Sequence, residues 1–277
     1  MHQVIAYPGT EGSFTGGAAA AYFPEDRCEA YPTFEEAARA VVEGRADYGL
    51  LPVENSFAGT VTQSFALLEK LPLYIVGETA RAVRHQLLGL PGASLGEIRV
   101  ISSHPQAIAQ CDQFLAGLKE VQLVPSANTA ISAREVAERG DPSCAAIASE
   151  EAAERFGLAI LARDIQTSSR NTTRFFVISR EEKALGHGDK ATVVFRVRNR
   201  VGALVQVLMS FAISGLNMSH IESRPIPDSP FEYIFVADFE GQMDQQHLAR
   251  AIEDARPFTQ DLRLMGVYPK ASRGADA

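Results

Sequence analysis

The chain has 277 residues and a mass of 30.0 kDa, a length that predicts about two domains. Hydrophobic residues make up 46% of it and charged residues 22%, which excludes a disordered, collagen-like or coiled-coil chain. The net charge of −8 argues against a nucleic-acid-binding protein, because such proteins usually present a basic face.

The sequence contains no pattern for a metal, a nucleotide or a membrane span. Its cysteines, Cys28, Cys111 and Cys144, lie far apart, which favours free thiols, no zinc site and a reducing, cytoplasmic location. No glycine-rich nucleotide fingerprint and no phosphate-binding lysine motif follows a predicted strand. No leader precedes the first strand, and no apolar run approaches the roughly 20 residues that span a bilayer. We therefore expect no cofactor, no metal, and neither nucleic acid nor a membrane as partner.

The first two thirds of the chain alternate between strand-like and helical patterns. Short apolar runs predict strands at residues 4–7, 48–53, 73–76, 80–88, 98–102, 121–124, 145–148, 158–162 and 174–179. Helical spacing and capping residues predict a helix that ends near residue 22 and others at 33–44, 60–71, 103–118, 128–139 and 149–156. Such repetition indicates parallel sheets covered by helices, and ligands on such sheets bind at the carboxyl ends of strands.

The pattern changes after a polar, glycine-bearing stretch at residues 180–190, which is typical of a linker. The elements predicted after it are strand 192–197, helix 202–215, strands 218–224 and 233–239, helix 243–255 and strand 262–267. The order βαββαβ predicts a compact ferredoxin-like domain of about 80 residues.

Polar residues at the predicted strand ends are the candidate site. Glu54-Asn55-Ser56 either take part in a site or cap the following helix. Ser103-His104-Pro105-Gln106 has the pattern of a capping box, which by itself explains His104, and Gln110 fits an exposed helix face. Residues 168–175 combine hydroxyls, amides and guanidinium groups, which suit either a plain loop or a carboxylate-binding site.

Several motifs, taken in order, resemble those of prephenate dehydratase. They are Thr10-Glu11-Gly12-Ser13-Phe14-Thr15, Pro52-Val53-Glu54-Asn55-Ser56, Ser103-His104-Pro105-Gln106-Ala107 and Asn171-Thr172-Thr173-Arg174-Phe175. Downstream, Gly202-Ala203-Leu204 and Glu222-Ser223-Arg224-Pro225 resemble the phenylalanine-binding motifs of the ACT regulatory domain of that family. The resemblance covers essentially the whole chain. It implies the monofunctional form, since no chorismate mutase helices precede Met1.

The resemblance implies an α/β fold with two parts. A two-lobed catalytic region of the periplasmic-binding-protein type (type II) is expected at residues 1–182, and an ACT domain at residues 190–270. Lobe one is expected to hold residues 1–76 and 166–182 and lobe two residues 77–165, with the substrate cleft between them.

The reaction implied is loss of carbon dioxide and water from prephenate, which yields phenylpyruvate for phenylalanine biosynthesis. The family's essential threonine maps to Thr173, for which we expect a hydrogen bond to the departing hydroxyl. Glu54 is a candidate proton donor if burial raises its pKa, and Asn55 a neutral catalytic donor. Arg174 is expected to pair either with a substrate carboxylate or with a structural acidic partner. The expected substrate-binding residues are Thr10, Ser103, Gln110, Arg174 and Phe175.

The resemblance also implies feedback inhibition by L-phenylalanine bound between paired ACT domains of a homodimer or homotetramer. A turn at Gly202 would open a helix whose free backbone amides suit a carboxylate. The expected phenylalanine-binding residues are Gly202, Ala203, Leu204, Asn217, Glu222 and Ser223. A purely structural ferredoxin-like module remains the alternative.

Two other functions stay open at this level. Arogenate dehydratase performs the same chemistry on a substrate that carries an ammonium where prephenate carries a keto group. A non-catalytic amino-acid sensor would also suit a two-lobed binding fold with an ACT domain. Against a sensor stands the intact Thr173-Arg174-Phe175, which pure binding gives no chemical reason to keep.

Overall fold

The computed structural model describes residues 2–226, 232–241, 243 and 245–271. In chain order the strands are β1 (Val4–Pro8), β2 (Arg27–Tyr31), β3 (Tyr48–Asn55), β4 (Gly59–Thr60), β5 (Tyr74–Ala82), β6 (Gln86–Gly89), β7 (Val100–Ser103), β8 (Gln122–Pro125), β9 (Cys144–Ala148), β10 (Ala159–Ala162), β11 (Thr172–Ser179), β12 (Lys190–Val197), β13 (Asn217–Pro225), β14 (Tyr233–Glu240) and β15 (Thr259–Tyr268). The α-helices are α1 (Phe14–Tyr22), α2 (Phe34–Val42), α3 (Thr62–Lys70), α4 (Pro105–Gln110), α5 (Asp112–Ala116), α6 (Thr129–Arg139), α7 (Glu150–Phe156), α8 (Ala203–Ile213) and α9 (Gln245–Ala255). No helix in these ranges is both long and apolar enough to cross a membrane.

Lobe one is built on a mixed sheet with the strand order β2-β1-β3-β11-β5. Strand β1 is parallel to both of its neighbours, whereas β11 returns from the end of the two-lobed region and runs antiparallel to β3 and β5. Helix α1 covers one face through the small side chains of Ala18 and Ala19, and α2 and α3 cover the other. Both faces are therefore buried, as the apolar runs in β3 and β11 require.

Lobe two holds a second sheet, with the strand order β10-β6-β9-β7-β8. Strand β9 is buried along its whole length, because α6 and α7 pack on one face of this sheet and α4 and α5 on the other. The predicted fold class, two α/β lobes of the periplasmic-binding-protein type followed by a ferredoxin-like module, is confirmed.

The C-terminal module is an antiparallel sheet of order β13-β14-β12-β15. Helices α8 and α9 cover one face of it. Its other face packs on lobe one, where Val236, Met265 and Tyr268 share an apolar core with Phe176. At Gly266 the backbone of β15 passes so close to β5 that a Cβ atom would collide with the carbonyl oxygen of Ile75. The module is therefore joined directly to the sheet of lobe one.

Several local predictions are wrong, each for a physical reason. Strand β2 is absent from the predicted strands because its sequence, Arg-Cys-Glu-Ala-Tyr, mixes charged and apolar residues. The helix predicted at 103–118 breaks at Cys111 into α4 and α5. Strand β5 extends to Ala82, past the predicted lobe boundary at residue 76, because its polar second half still pairs with β11.

The predicted capping box before α4 is also wrong. The Ser103 hydroxyl does not cap the helix, because it donates to the carbonyl oxygen of Ile147 at 2.6 Å. His104 is the cap instead, and its Nδ1 accepts the backbone amide of Gln106 at 3.2 Å. At the start of α2 the cap is the predicted one, since the Thr33 hydroxyl accepts the amide of Glu36.

Candidate functional site

The chain crosses between the two lobes at residues 83–85 and returns at residues 163–171. The two crossings are hydrogen-bonded to each other. The amide of Val83 donates to the carbonyl of Asn171 at 2.8 Å, and the amide of Ile165 donates to the carbonyl of His85 at 2.9 Å. These two paired segments form the connection between the lobes.

A cleft of about 330 Å³ lies over these crossings. Its lining residues are Phe14, Asn55, Ala58, Val61, Val83, His85, His104, Gln106, Ala107, Gln110, Asn128, Thr129, Asn171 and Thr173. None of these described lining residues is Asp, Glu, Lys or Arg. The cleft therefore offers neutral amides, hydroxyls and imidazoles against apolar walls.

Asn55 and Thr173 are brought together by strand pairing. They are opposite each other in the register of β3 and β11. The side-chain oxygen of Asn55 accepts the backbone amides of Phe57 at 3.0 Å and Ala58 at 2.9 Å, which fixes the orientation of its amide. Its nitrogen therefore donates to Thr173 Oγ1 at 3.0 Å and to Asn171 Oδ1 at 2.8 Å.

This pattern continues across the cleft into lobe two. Asn171 donates from Nδ2 to Gln110 Oε1 at 3.1 Å, so Asn55, Asn171 and Gln110 form what we call the amide chain. Since Thr173 Oγ1 accepts from Asn55, its own proton is free to be donated to a molecule in the cleft. The oxygen of Gln110 is occupied in the same way, since it accepts from Asn171, so its nitrogen remains available as a donor.

Helix N-termini add positive potential to the cleft. Helix α1 begins at Phe14, and α6 begins at Thr129 after an Asn128 cap whose Oδ1 accepts the amide of Ile131 at 2.7 Å. Phe14, Asn128 and Thr129 all line the cleft. The first amides of a helix are unpaired and carry partial positive charge, which favours a bound anion. The cleft can therefore hold carboxylates although it lacks a cationic side chain among the described lining residues.

Glu54 and Arg174 lie outside the cleft, contrary to the roles expected for them. Successive side chains of a strand point to opposite faces, so when Asn55 and Thr173 face the cleft, their neighbours Glu54 and Arg174 face the C-terminal module. Arg174 Nε lies 3.4 Å from Glu54 Oε2, and the Glu54 side chain remains 41% exposed. The structural alternative for Arg174 is the one that the geometry favours.

Arg174 belongs to a group of buried charges that we call the charge cluster: Arg174, Glu78, Lys190 and Asp238. Arg174 Nη1 lies 2.6 Å from Asp238 and 3.5 Å from Glu78, and Lys190 Nζ lies 2.8 Å from Glu78. Burial alone would lower the pKa of Arg174, but the charges of Asp238 and Glu78 raise it above its ordinary value. Two members come from lobe one and two from the C-terminal module, so the cluster joins them.

Three other predicted substrate-binding residues are also placed away from the cleft lining. Ser103 is fully buried and bonds to the backbone of β9. Phe175 is buried in the core between the lobe-one sheet and α1. Thr10 lies in the turn after β1, and its hydroxyl oxygen is buried with no hydrogen-bond partner among the described residues. The structure therefore gives Ser103 and Phe175 packing contacts and no place in the described cleft lining.

The turn that contains Thr10 connects the two lobes. The Ser149 hydroxyl at the start of α7 donates to the carbonyl of Gly12 at 2.9 Å. Arg155 Nε, further along the same helix, donates to Glu11 at 2.6 Å. The motif around Thr10 therefore helps to hold the lobes together in this conformation.

The predicted phenylalanine-binding residues lie on two elements of the C-terminal module. Gly202 has a φ of +78° and begins α8, where Ala203 is buried and Leu204 packs partly into the module core. Asn217 and Ser223 are exposed on β13, an edge strand.

Glu222 is half-buried and contacts lobe one. The Thr60 hydroxyl donates to Glu222 Oε2 at 3.1 Å. On the same face of β13, His220 stacks on Phe65 with ring centroids 6.1 Å apart, and its Nδ1 lies 3.8 Å from Glu54. The strand that carries the expected effector motif is thus in contact with the segment that follows Asn55.

Sequence reasoning missed His85 and assigned no role to Asn171. His85 is 2% exposed, lines the cleft and lies 2.8 Å from Gln110 through its Nε2. Burial lowers the pKa of His85, and its hydrogen bond to Gln110 only partly opposes this effect. Asn171 lies within one of the quoted motifs, whereas His85 lies inside the strand predicted at residues 80–88, which in the structure is interrupted between β5 and β6.

A two-lobed α/β region with a polar cleft over its crossings, joined to a βαββαβ module, defines a catalytic region with a regulatory domain. The family model described as prephenate dehydratase matches residues 5–183, and the model described as ACT domain matches residues 191–257. The chain belongs to the prephenate dehydratase family, and its C-terminal module is an ACT domain.

Relatives and a solved structure agree with this assignment. The chain is 37% identical to arogenate dehydratase/prephenate dehydratase 2 of Arabidopsis thaliana, over 96% of this chain and 72% of that protein. It is also 37% identical to a bifunctional N-acyl-homoserine lactone acylase/prephenate dehydratase of Komagataeibacter europaeus, over 96% of both. The structure of prephenate dehydratase from Arthrobacter aurescens in complex with L-Phe superposes with a TM-score of 0.87 and 30% identity, over 99% of this chain and 92% of that one.

Proposed function

We propose that this protein converts prephenate to phenylpyruvate, carbon dioxide and water. The observation that carries the proposal is the pairing of Asn55 with Thr173, which leaves the threonine proton free to be donated into a cleft of neutral groups. Departing hydroxide is the group in this reaction that most needs such a donor.

The reaction requires a proton at the oxygen of the leaving hydroxyl and poor solvation of the ring carboxylate. The bond between the ring and its carboxylate breaks, and its electron pair becomes a ring double bond while the C–O bond to the hydroxyl breaks. One proton, supplied from water, turns the leaving hydroxide into water. Threonine is too weak an acid to ionise usefully near neutrality, so Thr173 acts by a hydrogen bond that strengthens as charge develops on the oxygen. Apolar walls near Phe14 and Val83 favour loss of the carboxylate as neutral carbon dioxide.

The neutral lining favours prephenate over arogenate. Prephenate carries two carboxylates and a keto oxygen, all of which accept hydrogen bonds. The cleft offers donors for them in Gln110 and in the first amides of α1 and α6. Arogenate carries an ammonium, for which the described lining supplies no carboxylate. We therefore rank prephenate first and keep arogenate as the alternative substrate.

The test is a substrate comparison with purified protein. Prephenate and arogenate are supplied separately, and phenylpyruvate and phenylalanine are measured. Prephenate turnover well above arogenate turnover supports the proposal, whereas turnover of arogenate alone moves the function to the alternative. An acyl-homoserine lactone is included as a third arm, because one relative is described as an acylase as well. If neither prephenate nor arogenate is converted but calorimetry still shows phenylalanine binding, the protein is the non-catalytic amino-acid sensor.

We also propose that L-phenylalanine regulates the enzyme through the ACT domain of a homodimer or homotetramer. Helix α8 and the residue before its Gly202 cap expose an apolar stripe of residues spaced by four, namely Val201, Val205, Met209 and Ile213, which we call the α8 stripe. Exposed apolar stripes of this kind are typical of interfaces, and β13 beside it is an edge strand that can pair further. The expected effector residues Gly202, Ala203, Leu204, Asn217 and Ser223 lie on these same two elements.

A route for such regulation exists in the contacts of β13. Glu222 accepts a hydrogen bond from Thr60, which lies on β4 and pairs with Glu54 on β3. A phenylalanine that shifts β13 would therefore act on the strand that also carries Asn55. The measurement is prephenate turnover against phenylalanine concentration in wild type and in Glu222→Gln. Inhibition that is unchanged by this substitution would contradict the route, and calorimetry without phenylalanine binding would contradict the effector.

A further inference from the structure

His85 has a place in the fold that a passive core residue would not need. It lies in the first crossing between the lobes, where its backbone amide donates to the side-chain oxygen of Gln166 at 2.8 Å. Its ring is 2% exposed, lies edge-on to Phe14 with centroids 5.4 Å apart, and contributes to the cleft lining. It therefore contacts groups from both lobes at the point where the chain crosses between them.

The ring nitrogen that carries the proton is determined by the amide chain. The backbone amides of Phe57 and Ala58 fix the oxygen of Asn55, and each following link then has only one possible direction. At the end of the chain, Gln110 Oε1 accepts from Asn171 at 3.1 Å and lies 2.8 Å from His85 Nε2. Two groups that only accept cannot bond, so Nε2 must be the protonated nitrogen.

The other nitrogen, Nδ1, is buried and has no hydrogen-bond partner among the described residues. In the neutral Nε2–H form it is an acceptor without a partner. A second proton on Nδ1 would make the ring an imidazolium cation. Its charge would be desolvated and its N–H would be a buried donor without a partner, which costs more free energy than an acceptor without a partner. Burial lowers the pKa of His85 in the direction that this requires.

We propose that His85 is a positioning residue for the dehydratase reaction: as the neutral Nε2–H imidazole it holds Gln110 Oε1 from the first crossing, so that the Gln110 nitrogen and the Thr173 hydroxyl present their protons to the same substrate. This inference rests on the proposed function. It assigns His85 no contact with the reacting atoms; its action passes through Gln110. It also makes the relative position of the lobes part of the catalytic geometry, because Gln110 belongs to lobe two and Thr173 to lobe one.

The kinetic test compares two substitutions at this position with one control. In His85→Gln the terminal amide nitrogen lies where Nε2 was and can still donate to Gln110, whereas His85→Leu fills similar space without a donor. We expect His85→Leu to lower kcat for prephenate by about 10-fold or more with a smaller change in KM, because reacting groups are misplaced rather than lost. His85→Gln should stay within about threefold of wild type by the same reasoning. His187→Leu, in the exposed linker, is the control and should leave both constants unchanged.

A spectroscopic test reads the same contact without any turnover. Protein labelled with ¹⁵N-histidine should give, near neutral pH, one imidazole with the proton on Nε2 that disappears in His85→Gln and persists in His187→Leu. A His85 signal with the proton on Nδ1, or a protonated ring, would overturn the inference. So would equal loss of kcat in His85→Gln and His85→Leu, or normal kcat in His85→Leu. If wild type does not convert prephenate, the proposed function fails, and the tautomer alone decides whether His85 holds Gln110.

Discussion

Asp238→Asn tests the role of the charge cluster most directly. The Asp238 side chain is fully buried, and those of Lys190 and Glu78 are 5% exposed. In the wild type, the cations Arg174 and Lys190 face two buried anions, Glu78 and Asp238, and the more exposed carboxylates of Glu54 and Glu240. Asparagine keeps the size of the side chain but leaves two buried cations against one buried anion. Its amide nitrogen can also be turned toward Arg174 Nη1, where donor would meet donor.

The expected cost follows from that burial. Removal of one partner from a buried ion pair typically destabilises a protein by about 3–5 kcal/mol, because the remaining charge stays desolvated. The Thr192 hydroxyl, which donates to Asp238 at 2.7 Å, can still donate to the asparagine oxygen, so that bond does not add to the loss. The control is Glu35→Gln, which breaks an exposed pair with Arg39 and should cost less than about 1 kcal/mol.

The assay is urea unfolding followed by circular dichroism and by tyrosine fluorescence. The chain has no tryptophan, and Tyr268 lies buried beside the cluster. If the transitions seen by circular dichroism and by fluorescence do not coincide, the ACT domain separates first. The urea concentration at the midpoint of the first transition is then compared between the variants. A double-mutant cycle with Arg174→Met should give a coupling energy of about 0.5–3 kcal/mol. The reasoning is refuted if Asp238→Asn costs no more than Glu35→Gln, or if Arg174→Met raises KM for prephenate and leaves stability unchanged.

Four further outcomes follow from the site and the surface. Thr173→Ala should lower turnover by about 10²-fold or more, while Thr173→Ser keeps the hydroxyl and most of the rate; steady-state kinetics decides. Glu54→Gln should change turnover by less than about threefold, because removing a half-exposed charge outside the cleft has a small effect. A large loss of turnover would instead indicate that Glu54 takes part in catalysis. Val205→Asp in the α8 stripe should shift the oligomer toward monomer in light scattering, whereas Arg250→Glu on α9 should not. Burial lowers the folded-state pKa of His85, so stability present above about pH 6.5 should decrease as pH falls below it; His85→Gln should lack this component in denaturation at several pH values.

Much of the fold could be predicted because the sequence is locally consistent with it. The apolar runs of β3, β9 and β11 are long enough to be recognised as buried strands, and the alternation of β12 and β14 separates the ACT domain from the region before it. Strand β2 could not be predicted, since its pairing with β1 is set by the sheet and not by its own composition. The break at Cys111 likewise depends on how α4 and α5 pack on lobe two.

The site was partly predictable by strand position but not by side-chain direction. Asn55 and Thr173 lie at predicted strand ends, Gln110 was expected from the family resemblance, and all three line the cleft. Glu54 and Arg174 satisfied the same criterion and face the other way. The face on which a side chain lies depends on sheet register, which a list of motifs does not contain. His85 was missed for a different reason: its proposed role depends on a partner, Gln110, that is distant in sequence.

The same alternation gives β3 and β11 two functions at once. Thr173 lines the cleft, and Arg174, the next residue, is held by Asp238 of the ACT domain at 2.6 Å. Asn55 orients Thr173, and its neighbour Glu54 lies against Arg174 and His220. Consecutive residues of a strand are about 3.3 Å apart along its axis and share one rigid backbone. A movement of the ACT domain that displaces Arg174 therefore displaces Thr173, and misplacement by about 1 Å is enough to cost a reaction roughly 10²-fold. The proposed regulation can therefore act through β11 as well as through the contact between Glu222 and Thr60, because the strand that carries Thr173 is itself part of the domain interface.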